Sequence, residues 1–204
     1  MKHPLLTLDR LTAPHYLAYG FCLDMLGPEP KRVLDFGSRY SLLPTILAMA
    51  GHDVVATDRD PGVVNWQAGL AREHGVKFPA YDWHPGSPEQ LTLPPFDAIT
   101  ACWSIQHNEP ETQAALIAYL GRMLKSGGSL IVVNALGQGQ TEHMTNREDP
   151  LWRLTIDDMQ SLLIDPSGLV LKVSDAFRYE HATRRGEWCP MHEGNAIAYR
   201  LEKP

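Results

Sequence analysis

Two acids and a glycine raise the first chemical question. Asp35 sits in the apolar run Val33-Leu34-Asp35-Phe36, Gly37 follows directly, and Asp58 closes a second apolar run twenty-one residues after that glycine. Glycine lets the main chain turn close to a ligand. The backbone N–H groups of Ser38 to Ser41 then lie at a helix start, where an anionic group is favoured. An acid at the end of the next strand, at this spacing, reaches a ribose diol, and its charge disfavours a 2′-phosphate. The pattern is that of an adenosine-binding site.

The elements that would position these residues alternate. Residues 1–30 read as a helical preface. Thr12 is its cap, Pro14 lies in its first turn, and it closes at Gly27-Pro28. A strand over 32–36, a helix over 42–50, a strand over 53–57 and a helix over 61–74 follow. A short strand over 76–80 leads into a Pro- and Gly-bearing connector at 84–95. Next come a strand over 96–102, a helix after Pro110, a turn at Lys125-Ser-Gly-Gly128 and a strongly β-like run at 129–134. Strands separated by helices make a parallel sheet.

Beyond Asn134 the rhythm changes. Residues 136–150 read as a long polar loop, and 154–163 as a helix with Thr155 as its N-cap and Asp157 and Asp158 in its first turn. Strands near 169–177 and 195–201 form an antiparallel pair, separated by a charged, His-bearing insertion.

Bulk composition narrows the class. The chain has 204 residues, 44% hydrophobic and 21% charged, which fits one globular domain with a substantial core. A formal net charge of −6 argues against an extended phosphate-binding surface, so nucleic acid is not the expected partner. Cys22, Cys102 and Cys189 form no Cys-x-x-Cys pair, as expected of a reducing cytoplasm. No apolar run approaches membrane-span length, and the N-terminus lacks a signal-peptide apolar region.

Laid out in this order, the chain resembles the class I S-adenosylmethionine-dependent methyltransferases across roughly residues 30–177. Val33-Leu-Asp-Phe-Gly37 stands at that family's first motif, and Asp58 at the acidic end of its second strand. Asp82 follows the third strand, Phe96-Asp97 opens the fourth, and Leu124-Lys-Ser-Gly-Gly-Ser-Leu-Ile-Val resembles its Lys-Pro-Gly-Gly turn. One departure stands out. The family usually shows Gly-x-Gly-x-Gly, and here Arg39 and Ser41 take the second and third glycine positions.

The resemblance implies a Rossmann-like, doubly wound α/β sheet, mostly parallel with an antiparallel C-terminal strand pair and helices on both faces. It implies one domain over 1–204, made of a helical cap (1–30), a cofactor-binding core (31–135) and a C-terminal part (136–204) bearing acceptor-side loops. The implied cofactor is S-adenosyl-L-methionine. Asp35 would hold the ammonium side of its methionine moiety, partly through water. Gly37, Ser38, Arg39 and Ser41 would wrap the methionine end, and Asp58 would accept both ribose hydroxyls. Arg59 would cover the adenine or ribose edge, and Asp82 would accept from the adenine amino group. Trp83 is either a flat wall for the ring or a core aromatic. Ala101 and Cys102 would line the cofactor with backbone.

His107, just past the fourth strand, stands where the family commonly carries a histidine. It is either a general base or the organiser of its loop. His84 is a weaker candidate for the same pocket or a solvent residue of its connector, and His143 a weaker candidate to enter an acceptor pocket from the other side. Cys189 and His192, with His181 or Glu193, offer a weak metal pattern, against which an amphipathic loop packing Trp188 and Met191 over the sheet end is favoured. Arg184 and Arg185 would bind an anionic acceptor group or remain solvated. Little chain lies outside the core, so the expected partner is a small-molecule methyl acceptor, roofed by candidates Tyr16, Tyr19, Trp152 and Trp188. Oligomeric state is left open. The competing readings are an NAD-dependent oxidoreductase and a non-catalytic S-adenosylmethionine-binding protein.

Overall fold

The structure is a computed structural model that describes residues 13–85, 93–137, 139–141, 151–179 and 194–204. Four parallel strands form first: β1 (Arg32–Phe36), β2 (Asp53–Asp58), β3 (Ala80–Asp82) and β4 (Phe96–Cys102). They are followed by the long β5 (Leu124–Leu136). Two short strands, β6 (Gly139–Thr141) and β7 (Leu151–Arg153), pair with each other, and β8 (Val170–Tyr179) and β9 (Gly194–Glu202) close the chain. The main sheet runs β3-β2-β1-β4-β5-β9-β8. β9 is antiparallel to both β5 and β8, and every other pair in this sheet is parallel.

Alternation along the central strands sends successive side chains to opposite faces. Leu34, Val55, Ile99, Leu130 and Val132 join one core cluster with Leu116, Ile117 and Leu120 of helix α4 (Pro110–Met123). Val33, Val54, Ala98, Ile131 and Val133 join the other. That second face is covered by α1 (Ala13–Leu26), α2 (Leu43–Met49) and α3 (Pro61–Glu73). Helix α1 is therefore part of the core: Ala18, Tyr19, Cys22, Leu23 and Leu26 are all buried. The expected doubly wound sheet with an antiparallel C-terminal pair is present.

Three local differences have physical causes. β3 begins at Ala80, later than expected, because Pro79 has no N–H to donate and contributes only its carbonyl, which accepts from Ala56 N–H at 3.0 Å. The expected turn at 125–128 is absorbed into β5 as an irregularity, with Leu124 paired to Phe96 and pairing resuming at Ser129 with Ala98. Gly127 sits there at φ 73°. The segment expected as a loop over 136–150 carries β6 at its start, and β7 follows directly after it. Thr155 caps the next helix, α5 (Ile156–Asp158), through a reciprocal capping box with Asp158. The chain continues from α5 as a wider turn over Met159–Ile164.

Candidate active site

The strand order reverses between β1 and β4, and their carboxyl ends open a crevice of the kind in which α/β sheets bind ligands. Asp35, Asp58 and Asp82 come from β1, β2 and β3, which are adjacent in the sheet. Asp58 and Asp82 are register partners. Three carboxylates on neighbouring strand ends suit a cationic ligand and repel a pyrophosphate.

Each acid is held differently. Asp35 is 2% exposed, and one oxygen, Oδ1, accepts from the Thr100 hydroxyl at 2.6 Å. Burial pushes its carboxyl up to about 6, against the lowering effect of that hydrogen bond. Asp58 is half-buried. Its Oδ2 accepts from the Arg39 N–H at 2.8 Å and its Oδ1 from the Asp60 N–H at 3.0 Å. Two backbone donors fix the plane of the carboxylate, and each oxygen retains acceptor capacity. Asp82 is exposed, at the end of a three-residue strand.

The loop between β1 and α2 is shaped by its neighbours. Gly37 adopts φ 67°, and a Cβ there would stand 2.6 Å from the Ser104 Cβ. Only glycine fits so close to the turn that follows β4. Ser38 is buried, with its N–H on Thr57 O at 2.9 Å and its hydroxyl on Asp35 O at 3.0 Å. Arg39 takes φ 44° with its side chain exposed. Ser41 accepts from the Tyr19 hydroxyl at 2.9 Å and from the Leu43 N–H at 3.0 Å.

On the other wall, Ala101 is fully buried and Cys102 half-buried, its Sγ 3.4 Å from that of Cys22 on α1. The Cys22 contact, together with burial, pushes the Cys102 thiol up. Trp103 follows at φ 59°, its ring edge-to-face with Phe177 of β8 at 6.4 Å. His107 is half-buried at the end of a single 3₁₀ turn, Ile105–His107. Fully buried Ile105 and the Gln106 side chain pin that turn, the latter by accepting the Ala135 N–H of β5 at 2.6 Å.

Other candidates fall elsewhere. Trp83 is 4% exposed and lies in the core, its ring edge-to-face with Phe36 and 5.8 Å from that of Tyr119. Tyr19 is buried against the cofactor loop and does not stand open as a roof. Arg59 and His84 are exposed; Tyr16 and Trp152 are half-buried. His143, His181, Arg184, Arg185, Trp188, Cys189, His192 and Glu193 lie outside the described residues. Among the described residues no group of His, Cys, Asp and Glu could hold a metal ion.

Sequence reading missed Gln67, Gln106 and Ser104. Glutamine carries no charge or motif to betray it. The one available signal was Gln67's position on the apolar face of α3, between Val63 and Leu70, where a polar side chain needs a partner.

A family model described as a methyltransferase domain matches residues 34–132. No curated protein matches the sequence. Among solved structures, TehB from Haemophilus influenzae aligns with a TM-score of 0.69 at 11% identity. That alignment covers 91% of this chain and 61% of TehB, so the present chain spans less than two thirds of that protein. A SAM-dependent methyltransferase from Methanosarcina mazei aligns at 0.68 and 17% identity, covering 86% of this chain and 93% of that one. The 1,6-didemethyltoxoflavin-N1-methyltransferase of Burkholderia thailandensis, solved with its acceptor and S-adenosylhomocysteine, aligns at 0.69 and 18%, covering 94% and 78%. The domain match and the strand order agree: residues 34–132 match a methyltransferase domain, on a sheet shared with S-adenosylmethionine-dependent methyltransferases of known structure.

Proposed function

We propose that the chain is an S-adenosylmethionine-dependent methyltransferase acting on a small-molecule acceptor that enters beside the ends of β4 and β5. The carrying observation is a cavity of about 340 Å³ lined by Leu136, Gly137, Ala176, Phe177, Arg178 and Asn195. One of its lining residues, Phe177, packs edge-to-face on Trp103, which directly follows β4. That volume suits a metabolite-sized ligand. The Burkholderia relative, whose acceptor is small, supports the same reading.

In this reading Asp35 faces the methionine ammonium, and Gly37, Ser38, Arg39 and Ser41 follow the methionine tail. Asp58 grips the ribose, flanked by Arg59. Asp82 meets the adenine amino group, Trp83 supports that end from the core, and Ala101 and Cys102 line the opposite wall. When bound, S-adenosyl-L-methionine supplies a methyl group already activated by its sulfonium. The chain must then align the acceptor in line with that methyl and keep water out. His107, on a turn braced by Gln106, takes the proton from a hydroxyl or protonated amine acceptor. The reaction is assigned to the cytoplasm, in keeping with the cysteine pattern.

Two measurements test this. Thermal stabilisation by S-adenosylhomocysteine is expected, and an acceptor screen should convert S-adenosylmethionine to S-adenosylhomocysteine with a small molecule. Cofactor binding without turnover across a broad screen would instead favour a non-catalytic binding protein. His107→Ala should lower kcat while cofactor affinity stays within about twofold. Parallel loss of affinity and Tm would return His107 to the role of holding its loop.

A further inference from the structure

Arg39 and Ser41 remove backbone freedom from a loop that this family usually builds with glycines. Side chains from three elements converge on it here. Gln67 of α3 is 1% exposed, and its Nε2 donates to the Arg39 carbonyl at 2.9 Å and the Ser41 carbonyl at 3.0 Å. Both amide hydrogens are used on the loop. Its Oε1 is buried without a hydrogen-bond partner. Leaving a buried acceptor unpaired is costly, and that cost is offset only if the two donated bonds matter. From α1, the Tyr19 hydroxyl donates to the Ser41 Oγ at 2.9 Å, which also accepts the Leu43 N–H at the start of α2. From β2, Asp58 takes the Arg39 N–H.

We propose that Gln67 and Tyr19 are positioning residues for S-adenosylmethionine, gripping the 37–41 loop from opposite sides so that side chains do what glycine backbone does elsewhere in the family. The proposal rests on that loop wrapping the methionine end of the cofactor. It also explains the departure at position 41: the Ser41 hydroxyl is directed to α1 and the start of α2, leaving only its backbone to the crevice. Because the Arg39 N–H also orients Asp58, a loosened loop would disturb the ribose end as well.

Calorimetric titration with S-adenosylhomocysteine tests the clamp on Gln67→Met, Tyr19→Phe and the double variant. Methionine preserves the length and packing of the side chain while deleting both donors, and Tyr19→Phe deletes only a hydroxyl. Gln67→Met is expected to weaken binding about tenfold, and Tyr19→Phe about threefold. The double variant should depart from additivity, because both residues hold one segment. Tm without ligand should change little for Tyr19→Phe. A fall in Tm with an unchanged dissociation constant for the folded fraction would overturn the proposal and make both residues ordinary core. Unchanged affinity in Tyr19→Phe, which deletes only the hydroxyl on Ser41, would overturn it even if Gln67→Met failed to fold. If the unmodified protein does not bind S-adenosylhomocysteine at all, the cofactor reading itself fails, which is a separate result.

Discussion

The two sides of β4 are built by different means. Toward β1, β2 and β3, the crevice is framed by directional bonds: Thr100 on Asp35, Ser38 on Thr57 and Gln67 on two carbonyls, all buried or partly buried, and two backbone donors on the half-buried Asp58. Toward β5, β9 and β8, contacts are mostly apolar and the outer strand is open. Val170, Leu171 and Val173, at the end of β8 far from the crevice, are 45%, 38% and 37% exposed, and β6 and β7 are three residues each. Hydrogen bonds fix position and angle, whereas apolar contact fixes little beyond proximity. In the proposed function the bonded side holds the cofactor and the apolar side admits the acceptor.

The largest expected effect lies on the bonded side. Asp58→Ala should weaken S-adenosylhomocysteine binding about 100-fold, since in the proposed function a carboxylate's hydrogen bonds to two ribose hydroxyls are lost together. A change under threefold in calorimetry would break the contrast at its strongest point. Gly37→Ala should cost about 2 kcal/mol of stability, from a left-handed backbone and a Cβ set 2.6 Å from that of Ser104. Chemical denaturation would measure it, and a near-neutral result would mean that the turn after β4 moves freely.

A pH series sharpens the comparison. With its carboxyl pushed up to about 6, Asp35 is mostly neutral at pH 5 and mostly charged at pH 7. Affinity for the cationic methionine end should rise about tenfold over that range, and Asp35→Asn should flatten the profile. Stability without ligand moves the opposite way. The folded value lies above the ordinary 3.8, so the stabilisation from the protonated form is complete below 3.8 and is lost as pH rises through about 6. The smallest effect belongs to the apolar side. Phe177→Ala removes the edge-to-face contact with Trp103, yet the S-adenosylhomocysteine dissociation constant should stay within about twofold. A larger shift would show that the two sides are coupled.

Much of this architecture was readable beforehand because it rests on local signals. Buried strands such as Val33–Phe36 and Ser129–Asn134 announce themselves as apolar runs. Pro61 and Pro110 open helices, and Thr155 caps one. The strand-end acids were legible because spacing along a strand–helix–strand unit is fixed by its geometry. Less visible were β6 and β7, since three-residue strands are too short for any periodicity to emerge. Trp83 stood equally between wall and core until Phe36 and Tyr119 were found against it, partners that are distant in the chain.

Residue order alone determined the sheet's alternating plan and the acids at its strand ends, because each of these depends on patterns within a few dozen neighbouring positions. Tertiary structure decided what replaces the missing glycines. Gln67, Tyr19 and Asp58 meet one loop from three separate elements, and a hydrogen bond between residues nineteen or more positions apart leaves no trace in local sequence. It exists only once the chain has packed.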